Sequence, residues 1–439
     1  METLVQAPAW IRERREVAAK RFAEVGFPNT RQEDWRFTNV APIADAKFPL
    51  ASGSFAQAPA LVSSVAVPGS LRLAIVNGQF AAGLSDLSAL PKGVRIAGLR
   101  DGARDGTDGL EQHLGKVFSI NAHPFAALNT SLLDDGVAIF VASGAAIETP
   151  IHIVTVTGSD LSPGALAKRD GTAVTAHPRV LVVAGANSQV RIAQTFIGAA
   201  DSEYFNNAVA EIVVGEGAIV DYYTDQRESE RAYHVANIQA HVEAKGVFAS
   251  HAFSTGAKIQ RHDIGIGLKG EGADCTMNGV YLADDDKLMD THTSLDHAMP
   301  HCTSHEIYKG ILAGKARAVF NGRIIVRIDA QKTDAKQTNR ALLLSDDATI
   351  NSNPQLEIFA DDVKCTHGAA VGQLDEEAMF YLQARGLTRA EARDMLLHAF
   401  AGEVLEGLKI PALREQIETN FFQRLARGGP GEGRAQALP

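Results

Sequence analysis

The sequence predicts a mainly β protein, with a helical and mixed segment before the strands and a helical segment after them. Two observations carry this. From about residue 136, apolar β-branched stretches alternate with Gly, Asn and Asp at turns, the texture of stacked short strands. Past Gly372 the apolar period changes to that of helices. At 439 residues the chain can bury a large core and hold more than one structural unit. The expected division is a helical or mixed region over 1–130, a strand-rich core over 131–373, helices over 374–427 and a disordered tail over 428–439.

Taken in order, residues 8–25 read as a helix, with Trp10, Val17, Phe22 and Val25 among charges and a stop at Gly26 and Pro28. Between 30 and 130 little is legible. Leu71–Val76 reads as a strand entering an Asn77-Gly78 turn, and Ser119–Asn129 as a short helix. Then a loose repeat begins. Val182-Val-Ala-Gly-Ala-Asn, Val213-Val-Gly-Glu-Gly-Ala, Val242-Glu-Ala-Lys-Gly-Val, Leu268-Lys-Gly-Glu-Gly-Ala, Leu312-Ala-Gly-Lys-Ala-Arg and Leu344-Ser-Asp-Asp-Ala-Thr each read as strand end, tight turn and new strand. Their spacing is irregular, about 26 to 44 residues. Such quasi-repeats fit a solenoidal sheet, since one rung alone cannot bury its apolar face. A β-sandwich fits the pattern equally.

Beyond the strands, Asp375 is placed to cap a helix through Arg385, ended by Gly386. Thr388 and Glu391 have capping-box spacing and open a second helix, with Ala392, Met395, Leu396, Ala399 and Phe400 at helical period. Its stripe Met395, Leu396 and Phe400 either meets a partner or packs on the other two helices. A third helix spans Ile410 to Leu425. The tail from Gly428 is rich in Gly, Pro and Ala, a composition that favours disorder.

A net charge of −10 argues against a nucleic-acid partner, because phosphate contacts need a basic surface. Three cysteines, far apart in sequence, make no disulfide framework and fit a reducing cytoplasm. Met1-Glu-Thr-Leu-Val lacks the plan of a signal peptide, and no apolar run reaches the roughly 20 residues of a membrane helix.

Several clusters invite a chemical reading. Gly265-Ile-Gly267-Leu-Lys-Gly270 spells a dinucleotide motif, but turn and strand residues follow where a helix amino terminus is required. Gly310-Ile-Leu-Ala-Gly314-Lys315-Ala316 resembles a phosphate loop with one residue too few between its glycines and Ala in place of Ser or Thr. His292, His297, His301, Cys302 and His305 are metal-capable side chains at spacings that match no zinc module. On a single strand, 297, 301 and 305 would share a face. Turn hydrogen bonds and packing explain them as well. Asp284-Asp-Asp286 reads as a solvated turn. Cys365 and His367 lie two apart, so on a strand both would face the same way and meet one ligand. Thiolate and neutral imidazole suit iron or a nascent cluster, and a thiolate can also accept sulfur as a persulfide. A buried Cys beside a hydrogen-bonded His is the plain alternative.

The stretch around that pair carries more information than the pair does. Tyr308-Lys-Gly, Phe320-Asn-Gly, Ala330-Gln-Lys-Thr-Asp-Ala, Leu342-Leu-Leu-Ser, Asp361-Asp-Val-Lys-Cys-Thr-His-Gly-Ala and Phe380-Tyr-Leu-x-x-Arg-Gly386 together resemble the SufB/SufD family of iron–sulfur cluster assembly scaffolds. Gly26-Phe-Pro-Asn-Thr-Arg-Gln-Glu-Asp-Trp-Arg-Phe-Thr38 is similar to the opening segment of the SufD branch. SufB proteins are expected to carry Glu after the histidine, where this chain has Gly368. The likeness is densest from about 290 to 405 and thin between 40 and 130.

What the resemblance implies is a right-handed parallel β-helix core and a scaffold subunit that is not itself an enzyme. Its implied partners are a SufB-like subunit at the carboxyl end of the β-helix and a SufC-like ATPase on the helices after Gly372, with a homodimer as the state in isolation. Cys365 and His367 then lie at the SufB contact and serve as metal and cofactor ligands for a transient iron or iron–sulfur cluster, none being permanently bound. Two ligands cannot fill four positions, so a partner must supply the rest. The competing class is a stand-alone metal-dependent β-helix enzyme, a lyase or hydrolase. It would need a ladder of carboxylates and bases on successive rungs, which the sequence does not display.

Overall fold

The computed structural model describes residues 7–159 and 173–427. The readings made for the first five residues and for the tail 428–439 lie outside that range. The centre is a parallel β-solenoid of about seven turns, built from two facing sheets of ten strands each. From Gln189–Gly198 to Lys364–Gly372 the chain places one strand in the first sheet and the next in the second, turn after turn. Neighbours within each sheet run parallel and in unbroken register. A sandwich of hairpins would instead pair successive strands antiparallel. Among the described residues that occurs only where Leu71–Val76 meets Gln79–Phe80 and Val94–Gly98 meets Val137–Val141.

The repeat is more regular than the sequence suggests. Over those turns the register step ranges from 26 residues, Tyr233 to Ile259, to 32, Arg317 to Thr349. At six successive passages from the second sheet to the first, one residue takes a left-handed backbone: Asn187, Gly217, Lys245, Gly272, His301 and Lys332; the last passage, between Ile358 and Lys364, has none. The first five donate their N–H to the carbonyl of the residue preceding the left-handed residue one turn on, as in Gly272 to Pro300 and His301 to Gln331, and Lys332 donates to Asp362. The turns therefore stack as a ladder of their own. The apparent 44-residue gap between Leu268 and Leu312 arises because Leu268 ends a second-sheet strand and Leu312 a first-sheet strand. It is a turn and a half of the solenoid.

Inward side chains such as Ile192, Val220, Ile264, Met277, Leu295 and Phe320 fill the space between the sheets. The amino-terminal segment covers the outer face of the second sheet, where Trp35, Val40, Ile43 and Phe125 pack on Phe205, Val235, Ile259 and Leu288. Its first helix is Ala9–Val25, closed by Gly26 at φ 63°. The short helix expected at Ser119–Asn129 forms at Pro124–Ser131, with proline in its first turn, where a missing N–H costs nothing. Arg261 anchors this segment. It donates to Asp263, Asp290 and the Asp34 carbonyl and lies 4.0 Å over the Trp35 ring. Thr38 donates to Asp290 as well.

The carboxyl-terminal helices Glu376–Ala384, Arg389–Leu405 and Pro411–Arg427 follow the caps read in the sequence. Asp375 accepts from the N–H groups of Glu377 and Ala378, and Thr388 with Glu391 closes a capping box. Leu397, Ala401, Val404 and Leu405 pack on the outer face of the first sheet, against Tyr223, Phe253, Val280 and Ile311. The stripe named from sequence is thus split: Phe400 joins that contact, whereas Met395 is 50% exposed. Lys309, itself buried, fastens the second helix by donating to the Phe400 carbonyl at 2.7 Å and pairing with Glu403.

Candidate functional site

Lys364–Gly372 is the last strand of the first sheet. Cys365 continues the inward file Phe248, Cys275, Ser304, Ala335, and His367 the file Ser250, Met277, Glu306, Gln337. Both therefore point into the space between the sheets, as period-two alternation requires. No strand of the described residues follows in this sheet, so the last inward positions stand at an open end. Cys365 is half-buried against the core and His367 is exposed. Burial raises the Cys365 thiol above its ordinary pKa; the Ala335 backbone opposes this and Asp334 reinforces it. The thiol of the isolated chain is therefore protonated near neutrality, and a metal ion would have to displace the proton to bind.

The other metal-capable residues do not converge. His297 ends one strand and Thr303 begins the next, which overturns a single strand through 297, 301 and 305. His297 lies in the interior, its Nε2 2.9 Å from Ser304 Oγ. His301 is the left-handed turn residue and His305 is exposed. Cys302, fully buried, reaches the Gly270 carbonyl at 3.3 Å, and His292 lies 3.1 Å from Asp290. Among the described residues no three His, Cys, Asp or Glu side chains are grouped to hold a metal ion.

Both glycine motifs have structural explanations. Gly265 and Gly267 lie on the strand Ile259–Leu268, and Gly270 follows in its turn, where an added Cβ would sit 1.9 Å from the Ala244 nitrogen. Gly310 leaves room for the Tyr281 ring, and Gly314, at φ 63°, turns beside the Asp285 backbone. Neither opens a helix. Asp284 to Asp286 do form a turn, with Asp284 paired to the buried Lys287.

The outer face of the second sheet holds something the sequence did not display. A groove of about 300 Å³ runs beside Trp35 and His123–Phe125. Across its floor, Asn237, Asp263, His292 and Asn321 stand in one register row. That is a polar ladder, but its carboxylates are engaged. Asp263 is paired with Arg261, and Asp296 with Lys269 and Arg327. Alternation of side chains could have located the row once strand parity was known.

Fold and geometry together define a parallel β-solenoid protein with Cys365 and His367 facing inward at its open end. Comparison with known proteins assigns the family. The SUF system FeS cluster assembly SufBD core domain matches residues 166–400, and the SufBD protein amino-terminal region matches 4–153. The chain belongs to the SufBD family of iron–sulfur cluster assembly proteins. It is 31% identical over 415 residues to an iron–sulfur cluster assembly SufBD family protein of Synechocystis, covering 92% of this chain and 89% of that one. It is 30% identical over 405 residues to the iron–sulfur cluster assembly protein SufD of Escherichia coli, covering 92% and 90%. The SufD of Bacillus subtilis is 26% identical over 434 residues, covering 94% and 93%.

Proposed function

We propose that the chain is the SufD-type scaffold subunit of a cytoplasmic SufBCD-type assembly complex and has no catalytic activity of its own. The observation that carries this reading is the open end of the solenoid. There Cys365 and His367 stand beside a rim on which Ile328, Ile358, Phe359 and Val371 are 41–68% exposed. An apolar rim around incomplete polar chemistry suits a permanent protein partner, and a SufB-like subunit would cover it and add the missing ligands. Iron or a nascent cluster is the cargo of that shared site. The SufC-like ATPase would dock on the first two carboxyl-terminal helices, where Phe380, Tyr381 and Met395 are 50–73% exposed.

The test is the pair Cys365→Ser and His367→Ala. Both should leave complex formation intact and reduce iron–sulfur maturation, because each removes a donor and little core volume. Normal activity of iron–sulfur enzymes in cells carrying both changes, with no other assembly route, would refute the assignment. The groove on the second sheet does not favour the enzyme alternative, since Asp263 and Asp296 on its floor are held in ion pairs.

A further inference from the structure

Three fragments of the chain, separate in sequence, meet at one place in the interior, and a fourth stands one strand further toward the open end. Glu306, Gln337 and His367 occupy one register position on successive strands of the first sheet. Gly322 faces them from the second sheet. Glu306 and Gln337 are 1% and 2% exposed. The Gln337 Nε2 donates to Glu306 Oε2 at 2.7 Å, and in its ionised form a carboxylate only accepts, so this bond then decides which way the amide is turned. Oε1 of Gln337, although buried, has no hydrogen-bond partner among the described residues, a costly state for an amide oxygen. Gly322 leaves the space that the amide fills, for a Cβ there would lie 2.3 Å from Nε2 and 2.9 Å from Oε1. The next inward position beyond Gln337 is His367, one strand spacing away, roughly 4.8 Å.

We propose that Gln337, oriented by Glu306, is a positioning residue for His367. Its unpartnered carbonyl oxygen is the acceptor for the ring N–H once the His367 side chain turns toward the interior, and the other ring nitrogen is then left to present its lone pair at the open end. A neutral imidazole has one donor and one acceptor nitrogen, so engaging the N–H selects the nitrogen that can bind a metal. Lys or Arg in place of Gln337 would repel the N–H, and an aliphatic residue would leave the ring free to exchange tautomers. Glu306, Gly322, Gln337 and His367 thereby acquire one joint purpose.

The proposal builds on the reading of His367 as a ligand, but its test needs no metal. Full-length chain labelled with ¹⁵N-histidine is examined by long-range ¹H–¹⁵N spectra above the imidazole pKa, with His367 assigned by its loss in His367→Ala. The wild-type ring should show two well-separated nitrogen signals, the mark of one tautomer. In Gln337→Met the two should move toward the averaged position of a freely exchanging ring. Glu306→Met should do the same by releasing the amide, whereas Glu306→Gln, which keeps an acceptor, should restore the separation. Should Gln337→Met fail to fold, Gln337→Asn, which withdraws the amide by one methylene, takes its place. Signals that do not move in any folded variant, or that are averaged in the wild type, overturn the positioning role and leave the ligand reading standing. Tautomer loss in the variants alongside normal maturation in His367→Ala upholds the positioning role and overturns the ligand reading.

Discussion

Of the three thiols in the chain, Cys275 and Cys302 have no exposed surface, and burial raises the pKa of each. Cys365 alone is reachable, and its own raised pKa keeps the thiolate fraction small at neutral pH. A thiol reagent should therefore titrate one cysteine in the native chain and three in denaturant. The native rate should climb with pH past the range of a free cysteine. Two or more fast thiols at pH 7.5 would contradict this burial. Glu306 offers a second test. Burial pushes its carboxyl up to about 7, with Thr293 and Gln337 pulling the other way. The folded state then holds this proton more tightly than the unfolded chain, so the contribution is complete below the ordinary Glu range and is lost as pH rises through about 7. Glu306→Gln, which cannot ionise, should gain stability over wild type at pH 8 by up to about 3 kcal/mol and gain little at pH 5. Urea midpoints at the two pH values read the difference.

Among the elements, the turns between sheets set the pitch of the solenoid, and glycine is required where two of them touch. Gly270→Ala would drive a methyl into the Ala244 backbone of the turn below. It should cost about 3 kcal/mol, the upper range for overpacking, visible as a fall in thermal midpoint. Thr388→Ala removes the capping box of the second carboxyl-terminal helix and should cost about 1 kcal/mol. That helix is also fastened by Lys309, so its loosening should appear first as faster amide exchange in Arg389–Leu405, with the solenoid strands unchanged.

For the molecule as a whole, the carboxyl-terminal helices close one face as well as offering one. Cutting after Gly372 would uncover Tyr223, Phe253, Val280, Leu282 and Ile311 on the first sheet, and the shortened chain should aggregate. ATPase docking is better tested by Phe380→Ser with Met395→Ser, two exposed positions. The double variant should fold normally and bind the ATPase subunit at least about tenfold more weakly, the loss of roughly 1.4 kcal/mol. Neither glycine motif leads into a helix, so the chain alone should show no saturable nucleotide binding. In the proposed complex, the nucleotide state of an ATPase partner would bias the docking geometry at the open end. Labelling of Cys365 should rise with ATP in the complex and stay constant for the chain alone. Equal labelling in a complex shown to be hydrolysing ATP would remove the support for such gating.

Local rules were enough to read much of this protein from its sequence. Helix caps at Asp375 and Thr388, the stop at Gly26 and the strand entering Asn77-Gly78 depend on residues within a few positions of one another. So does the shared direction of Cys365 and His367, which follows from strand alternation alone. The rung period was blurred because three of its turn residues, Lys245, His301 and Lys332, are not glycine or asparagine, while Gly314 marks the opposite kind of turn. What only the tertiary structure decided are relations across a whole turn of the solenoid. Glu306 stacks under Gln337, Arg261 holds Trp35, and Lys309 holds the second carboxyl-terminal helix. These pairs are separated by 31 to 226 residues. Such contacts are set by register and by which face of a sheet is covered, and a single sequence without an alignment carries no direct mark of either.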